Sequence, residues 1–198
     1  MCFYFKQSKD ATTLKKRFKA KYSDDNISPI GNFNGFSHPK ISVITNQIPD
    51  EIQQYNWGLI PHWAKDINIR KYTLNARIET LKEKPSFRSN INKRCLIIAD
   101  SFNEWKWLDP KGKEKEKYEI KLSNEELFAF AGLWSNWTSK ETGEMINTCT
   151  IITTEANELM SEIHNIKKRM PVIIKNEFDW LMGDDLQLNN DELIAEKI

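Results

Sequence analysis

The feature that most restricts the fold of this chain is a series of short apolar or alternating segments separated by turn residues. Residues Arg94–Ala99 (RCLIIA) are almost entirely apolar, which is typical of a strand buried on both faces. Residues Phe102–Trp107 follow the period of a strand, and the turn Asp109–Gly112 (DPKG) predicts a hairpin to a strand at Tyr118–Leu122. Strands joined by short turns pair antiparallel, so we expect a mostly antiparallel sheet.

The same patterns predict the remaining elements. Further strands are expected at Ile41–Thr45, Ile52–Ile60, Leu127–Leu133, Asn147–Thr154 and Met170–Ile174. Helices are expected at Lys9–Tyr22, at Glu79–Asn92 with a break at Pro85, at Glu155–Ile163 behind a Thr154 cap, and at Glu177–Met182. These elements predict one α+β domain, residues 1–182, with a mostly antiparallel, barrel-like sheet as its core and peripheral helices. The acidic tail, residues 183–198, is expected to be a docked helix.

Composition excludes several classes of protein. The formal net charge of the 198 residues is +1, so global charge does not indicate a nucleic-acid binder. Cys2, Cys95 and Cys149 show no C-x-x-C spacing, which argues against a zinc site and a disulfide framework. No apolar run approaches the ~18 residues of a membrane span. We therefore expect a cytoplasmic monomer with no metal, no small-molecule cofactor and no membrane insertion.

Cys2 offers chemistry that an internal cysteine does not have. If Met1 is removed, Cys2 carries a free α-amine and a thiol on adjacent carbons. With an aldehyde, the amine can form a Schiff base, and the thiol can then close on the same carbon as a thiazolidine. The pKa of an α-amine is about 7.7–8.0 and that of a thiol about 8.5, so part of each is nucleophilic near neutral pH. The alternative is that Cys2 is an ordinary packing residue.

Three polar residues are further candidates, each with a structural alternative. Glu104 lies among aromatic residues beside an apolar strand, where burial raises the pKa of a carboxyl and suits it to proton transfer. It could equally form a structural ion pair. His164 follows a predicted helix and is either a proton-transfer group or a packing residue. The Asn75 amide is either a cap or a hydrogen-bonding group for a substrate oxygen.

Basic and aromatic residues could serve a nucleic acid. Arg77, Arg88 and Arg169 are either salt-bridge partners or phosphate clamps. The seven tryptophans are many for this length, and indole rings serve both as core and as stacking platforms for bases.

Several segments, in this order and spacing, resemble one protein family from Cys2 to about Leu181. They are Met1–Cys2, Trp57–Trp63 (WGLIPHW), Asn75–Thr80 (NARIET), Pro85–Arg88 (PSFR), Arg94–Asp100 (RCLIIAD), Phe102–Lys106 (FNEWK), Phe130–Trp134 (FAGLW), Ile151–Asn157 (IITTEAN), Ile163–His164 and Arg169–Pro171. The family is SRAP, the SOS-response-associated peptidase-like proteins, which attach covalently to abasic sites in single-stranded DNA. Each segment alone is weak evidence for the family, but their number, order and spacing together make the resemblance specific.

The resemblance implies roles for residues at the matching positions. Cys2 would be the nucleophile that forms a thiazolidine with the ring-opened deoxyribose. Asn75 would hold the sugar, Glu104 would shuttle protons during Schiff-base formation, and His164 would assist ring opening. A DNA-binding role is implied for Pro39, Trp57, Arg77, Arg88, Trp105 and Arg169. Crosslink reversal would make the protein a slow lyase, and the peptidase label of the family reflects self-removal of the residue before Cys2.

The chain departs from the family pattern in three respects. Members commonly begin Met-Cys-Gly-Arg, whereas Phe3 and Tyr4 follow Cys2 here, so a permissive glycine and a phosphate-binding arginine are missing. Four residues separate His164 from Arg169, where many members have a compact run. The net charge of +1 predicts modest sequence-independent affinity for DNA and a shallow salt dependence.

Two other functions are compatible with the same residues. A cysteine peptidase would use Cys2 with His164 and either Glu104 or Asn75, and would turn over peptides in trans. A non-catalytic single-strand binding module would rest on Trp57 and Trp105 and would bind intact and abasic strands equally.

Overall fold

A computed structural model describes residues 2–24, 30–184, 188 and 192–198. The strands are β1 (Tyr4–Gln7), β2 (Lys21–Tyr22), β3 (Gly31–Asn34), β4 (Lys40–Thr45), β5 (Ile48–Trp57), β6 (Asn75–Arg77), β7 (Arg94–Ala99), β8 (Ser101–Trp107), β9 (Lys115–Leu122), β10 (Phe128–Thr138), β11 (Met145–Glu155), β12 (Arg169–Pro171) and β13 (Leu193–Lys197). The α-helices are α1 (Ala11–Phe18), α2 (Pro85–Arg88), α3 (Glu158–Ile163) and α4 (Glu177–Met182). Short 3-10 helices cover Gly35–Ser37, Ile67–Tyr72 and Ile78–Thr80. Within the described ranges, no helix has both the length and the apolar character needed to cross a bilayer.

Five strands close into a barrel. β11 pairs with β10, β10 with β7, β7 with β4 and β4 with β5, all antiparallel. β5 then returns to β11 through a short parallel contact at Thr148–Asn56 and Cys149–Trp57, which closes the ring. Further along β11, β6 pairs with it in parallel and β12 pairs with it antiparallel. The prediction of an α+β domain with a mostly antiparallel, barrel-like core is confirmed.

A second sheet carries the N-terminus of the described chain. Its strand order is β13-β9-β8-β1-β3, and every neighbouring pair is antiparallel. Phe5 of β1 lies opposite Phe102 of β8, and both rings are buried with Phe130 of the barrel. This apolar contact packs the second sheet against the barrel and fixes the position of the residue that precedes β1.

Strand β7 illustrates why the apolar run predicts a doubly buried strand. Cys95, Ile97 and Ala99 belong to the core cluster shared with β1 and β8. Leu96 and Ile98 belong to a second cluster under α1 and α4. Alternate side chains of one strand thus supply two separate cores.

Helix α1 is shorter than its sequence pattern predicts. Asp10 caps it by accepting a hydrogen bond from the Thr13 amide at 2.8 Å, and Lys19 ends it with a left-handed φ of 51°. The predicted helix extends to Tyr22, but Lys21 and Tyr22 instead form β2, which pairs in parallel with β5. Tyr22 is buried on β2, and the helical spacing also predicts its burial, so the apolar spacing alone does not distinguish the strand from the helix.

Other elements also differ from the prediction. Of the helix expected at Glu79–Asn92, only Pro85–Arg88 is α-helical, and Pro85 begins α2 rather than breaking a longer helix. The strand expected at Ile52–Ile60 is β5, which runs from Ile48 to Trp57. β11 continues to Glu155 because Thr154 and Glu155 pair with β12, so α3 begins later and Asn157, not Thr154, is its cap. The tail was expected to be helical, but Leu193–Lys197 form β13 on the outer edge of β9. Residues 185–187 and 189–191 of that tail lie outside the described part of the chain.

Candidate active site

Cys2 is held at the junction of the two sheets. It lies two residues before the start of β1, is fully buried, and its carbonyl accepts a hydrogen bond from Asn75 Nδ2 at 2.8 Å. Its Sγ lies 3.8 Å from the Tyr4 carbonyl oxygen. Burial in the apolar core, and next the nearby charge of Glu104, raise the pKa of the Cys2 thiol well above its ordinary value. The sulfur is therefore a thiol rather than a thiolate at neutral pH.

Asn75 owes its position to the pairing of β6 with β11. Its backbone lies opposite Ile151, and the preceding Leu74 carbonyl accepts hydrogen bonds from Ile151 N at 3.1 Å and Trp57 Nε1 at 2.8 Å. While Nδ2 binds the Cys2 carbonyl, the buried Oδ1 accepts no hydrogen bond from any residue that the structure describes. The amide thus retains a buried acceptor, the kind of group that a ligand hydroxyl satisfies.

Glu104 supplies an ionisable group beside Cys2. It lies on β8 with only 5% of its surface exposed, because its strand is covered by the apolar core. Burial raises the pKa of its carboxyl to about 7. A carboxyl with this pKa can both donate and accept a proton near neutral pH, as a general acid–base group requires.

His164 ends helix α3 on the same side of the molecule. Its Nδ1 donates to the Arg169 carbonyl at 2.7 Å, which leaves Nε2 with the lone pair of a neutral imidazole. Burial, as the largest cause, lowers the pKa of the imidazole to about 4, so the ring is neutral at physiological pH. The next residue, Asn165, joins this turn to β8 because it donates to the Trp107 carbonyl at 2.8 Å and accepts from the Trp107 amide at 3.1 Å.

Arg169 occupies a position that its sequence does not reveal. Its guanidinium makes two parallel bonds to the Glu79 carboxylate, at 2.7 and 2.9 Å, and a third to the Thr153 carbonyl at 2.8 Å. Only 6% of the residue is exposed. The predicted phosphate contact does not match this placement, because the guanidinium is enclosed and already hydrogen-bonded to Glu79 and Thr153.

The other predicted DNA-binding residues divide into exposed and enclosed side chains. Arg77 and Arg88 are exposed, and Pro39 is partly exposed. Trp105 is partly exposed, and its ring packs edge-on against Tyr4 at 5.0 Å between centroids. Trp57 has no exposed surface and supports Leu74 through its indole NH, so it does not present a face to a nucleobase as predicted.

The structure brings the four predicted catalytic residues together through different elements. Cys2 and Asn75 are hydrogen-bonded, Glu104 acts electrostatically on the Cys2 thiol, and Asn165 holds the turn of His164 on the strand of Glu104. Across the described ranges, no group of three or more His, Cys, Asp or Glu side chains is arranged to hold a metal ion. The site thus combines an enclosed thiol with two proton-transfer groups: the Glu104 carboxyl, whose pKa is raised, and the His164 imidazole, whose pKa is lowered.

Two residues of the site were not found from the sequence. Glu79 lies in the NARIET segment, but its partner, Arg169, is 90 positions away. Phe36 lies in a stretch rich in Asn, Gly, Ser and Pro, and its ring stands beside that of Phe3. A surplus of aromatic residues near the N-terminus was the one available signal for Phe36.

Comparisons with known proteins identify relatives of this chain. Abasic site processing protein YoqW of Bacillus subtilis (strain 168) is 48% identical over 159 residues, which are 79% of this chain and 65% of YoqW. Protein YobE of the same organism, also named an abasic site processing protein, is 46% identical over 159 residues, 79% of this chain and 67% of YobE. The chain thus spans about two thirds of the length of these relatives.

A solved structure shares the whole fold. The crystal structure of a protein from Bacteroides thetaiotaomicron is 34% identical, with a TM-score of 0.89, and the match covers 100% of this chain and 92% of that one. The sequence model of the family described as SOS response associated peptidase (SRAP) matches residues 1–196. This chain therefore belongs to the SRAP family.

Proposed function

We propose that this chain processes abasic sites in single-stranded DNA, and that Cys2, once Met1 is removed, attaches covalently to the lesion. The observation that carries the proposal is the burial of Cys2 against Asn75 and Glu104, with His164 on the adjoining turn. The names of YoqW and YobE support the substrate class. The aldehyde of a ring-opened abasic sugar is the electrophile that an N-terminal aminothiol captures most stably.

The reaction is a condensation with no change of oxidation state. The Cys2 amine adds to the aldehyde carbon, and the aldehyde oxygen leaves as water, which forms the imine. The Cys2 sulfur then adds to the imine carbon, and the thiol proton ends on the nitrogen. One C–N bond and one C–S bond are formed, and the product is a thiazolidine that joins DNA to protein.

Glu104 and His164 would serve different proton transfers, because burial shifts their pKa values in opposite directions. Glu104, with a pKa of about 7, can give a proton to the departing hydroxyl and later take one from the thiol. His164 is neutral because burial holds its pKa at about 4, so its imidazole can accept a proton when the sugar ring opens. Asn75 Oδ1 would accept a hydrogen bond from a sugar hydroxyl.

The state of the thiol favours capture over peptide hydrolysis. A cysteine peptidase needs a thiolate, but burial and the charge of Glu104 raise the pKa of the Cys2 thiol. A neutral thiol can still add to an imine, which is a stronger electrophile than a peptide carbonyl. Reversal of the condensation, with water as reactant, would regenerate the sugar aldehyde and the free Cys2 amine and thiol, and so would release the DNA.

Intact-mass spectrometry tests the proposal. The wild-type chain, incubated with an oligonucleotide carrying an abasic site, should lack Met1 and gain the mass of the oligonucleotide less one water. Cys2→Ala should give no adduct after denaturation, whereas Cys149→Ala, at another fully buried cysteine, should retain capture. An adduct with Cys2→Ala, or with a chemically blocked amine, would refute the mechanism.

A further inference from the structure

A short loop connects α3 to β12 beside the site. It covers residues 165–168 and runs from His164, the C-terminal cap of α3, to Arg169, the first residue of β12. The Lys168 amide donates to the His164 carbonyl at 2.8 Å, and the Lys168 carbonyl accepts from the Ala156 amide at 3.0 Å. These backbone hydrogen bonds give the segment, called here the basic loop, a fixed path.

Asn165 attaches the basic loop to β8, the strand that carries Glu104. Its side chain donates to the Trp107 carbonyl at 2.8 Å and accepts from the Trp107 amide at 3.1 Å. β1 pairs with β8 only as far as Asn103, so within the described ranges no strand pairs with this edge of Trp107. The Asn165 amide therefore takes the place of a neighbouring strand.

The N-terminal segment approaches the same edge of β8. Tyr4 lies opposite Asn103, and β1 runs antiparallel to β8. Cys2 comes two residues before Tyr4 and therefore lies toward the Trp107 end of that edge. Cys2 and the basic loop are thus neighbours along one edge of a single strand, and a long side chain on the loop is within reach of a group attached to Cys2.

Lys167 supplies an exposed cation at this position. Burial is the largest cause of the raised Glu104 pKa and of the lowered His164 pKa, and the positive charge of Lys167 also lowers both, which places its ammonium near both groups. Lys167 forms no ion pair with any residue that the structure describes, whereas Arg169 is enclosed by its bonds to Glu79. Lys167 is therefore open to an anionic ligand.

We propose that Lys167 binds a backbone phosphate next to the abasic sugar, so that the site favours a lesion within a strand over a free sugar aldehyde. The inference rests on the proposed function and adds to it a basis for selecting a strand. An N-terminal aminothiol reacts with any aldehyde that reaches it, so the chemistry of Cys2 alone does not distinguish DNA from a free sugar. A phosphate is the group that every abasic site in a strand carries and that an unphosphorylated sugar lacks.

The charge of the chain makes a local cation important. With a formal net charge of +1, the protein as a whole attracts a polyanion weakly, so a phosphate must be bound by individual side chains. Lysine carries its charge on a flexible four-carbon stem, which can follow a phosphate while the sugar moves toward Cys2. A contact of this kind positions the strand and does not read its sequence.

Rates of capture at different salt concentrations isolate the phosphate contact. The readout is the mass gained by the intact chain with a single-stranded abasic oligonucleotide below saturation. At about 50 mM salt, Lys167→Ala should be about two- to fivefold slower than wild type, the effect of one exposed ion pair. Its log–log salt slope should be shallower by about 0.7, the value for one phosphate of a single strand. Lys167→Arg should keep the wild-type rate and slope, as should Lys140→Ala, in the exposed turn after β10.

The sugar 2-deoxyribose is the control substrate, because it opens to the same aldehyde and carries no phosphate. Lys167→Ala and the wild-type chain should capture it at the same rate. The ratio of oligonucleotide capture to sugar capture should therefore fall in Lys167→Ala by about two- to fivefold.

The outcomes separate this inference from the proposed function. A salt slope of Lys167→Ala equal to that of wild type would overturn the inference. Equal slowing with the oligonucleotide and with 2-deoxyribose would also overturn it, because Lys167 would then act through Glu104 and His164 rather than on a phosphate. Both results leave capture at Cys2 in place. Failure of the wild-type chain to gain the mass of the oligonucleotide would instead refute the proposed function, and this inference with it.

Discussion

Replacing Glu104 with glutamine should stabilise the fold and slow capture at the same time. The carboxyl is 5% exposed, and burial raises its pKa from 4.5 to about 7. Each pKa unit corresponds to about 1.36 kcal/mol, so a charged Glu104 costs the folded state about 3 kcal/mol above pH 7. Glutamine has nearly the same shape and never ionises, and so it avoids this cost.

The sign of the effect fixes its dependence on pH. The folded protein binds the Glu104 proton more tightly than the unfolded chain, because the folded pKa is the higher one. Below about pH 4.5 both states are protonated, and the variant and wild type should be equally stable. The advantage of Glu104→Gln should grow as pH rises from 4.5 to 7 and remain constant above that range.

Urea unfolding at about pH 4 and about pH 8.5 measures this difference directly. At the higher pH, about 3 kcal/mol corresponds to a rise in melting temperature of roughly 6–12 °C for a domain of this size. Glu141→Gln, in an exposed turn, is the matched control and should change stability at neither pH. A stability difference between Glu104→Gln and wild type that does not vary with pH would refute the reasoning. Capture of abasic DNA by Glu104→Gln should be slower by about 100-fold or more, since an acid–base group is lost.

Three further substitutions test the supports of the site. His164→Asn should slow capture without changing its pH profile between about pH 5 and pH 9, because burial already holds the imidazole pKa near 4; a changed profile would contradict that assignment. Arg169→Lys should lower the free energy of unfolding by about 1–3 kcal/mol, because lysine cannot make both bonds to Glu79, and unchanged urea unfolding would show that the pair contributes nothing. Trp57→Phe should cost about 1 kcal/mol in thermal unfolding through the lost bond to the Leu74 carbonyl, and an unchanged melting temperature would contradict this.

The elements predicted best are those whose determinants are local. The strand Arg94–Ala99 and the helix Glu177–Met182 have the predicted bounds, because an unbroken apolar run and a short amphipathic segment leave few alternatives. The helix expected at Lys9–Tyr22 ends early because β5 offers Lys21 and Tyr22 a strand partner far along the chain. The tail strand Leu193–Lys197 depends in the same way on the free edge of β9.

In the candidate site, too, features fixed by local sequence could be predicted, and features fixed by contacts between distant segments could not. The burial of Glu104 follows from its place among aromatic residues beside an apolar strand, and its raised pKa follows from burial. The hydrogen bond between Asn75 and Cys2 joins residues 73 positions apart and follows only from the sheet topology. The enclosure of Trp57 and Arg169 was missed because a bulky indole and a guanidinium serve equally well as ligand contacts and as internal braces.

The hydrogen bond from Asn75 to the Cys2 carbonyl crosses from the barrel to the second sheet. A group attached to Cys2 therefore lies between the barrel and the second sheet, and it can contact both sheets without a movement of either. A DNA lesion attached to Cys2 would add contacts between the barrel and the second sheet. Attachment should therefore stabilise the packing of the two sheets against each other.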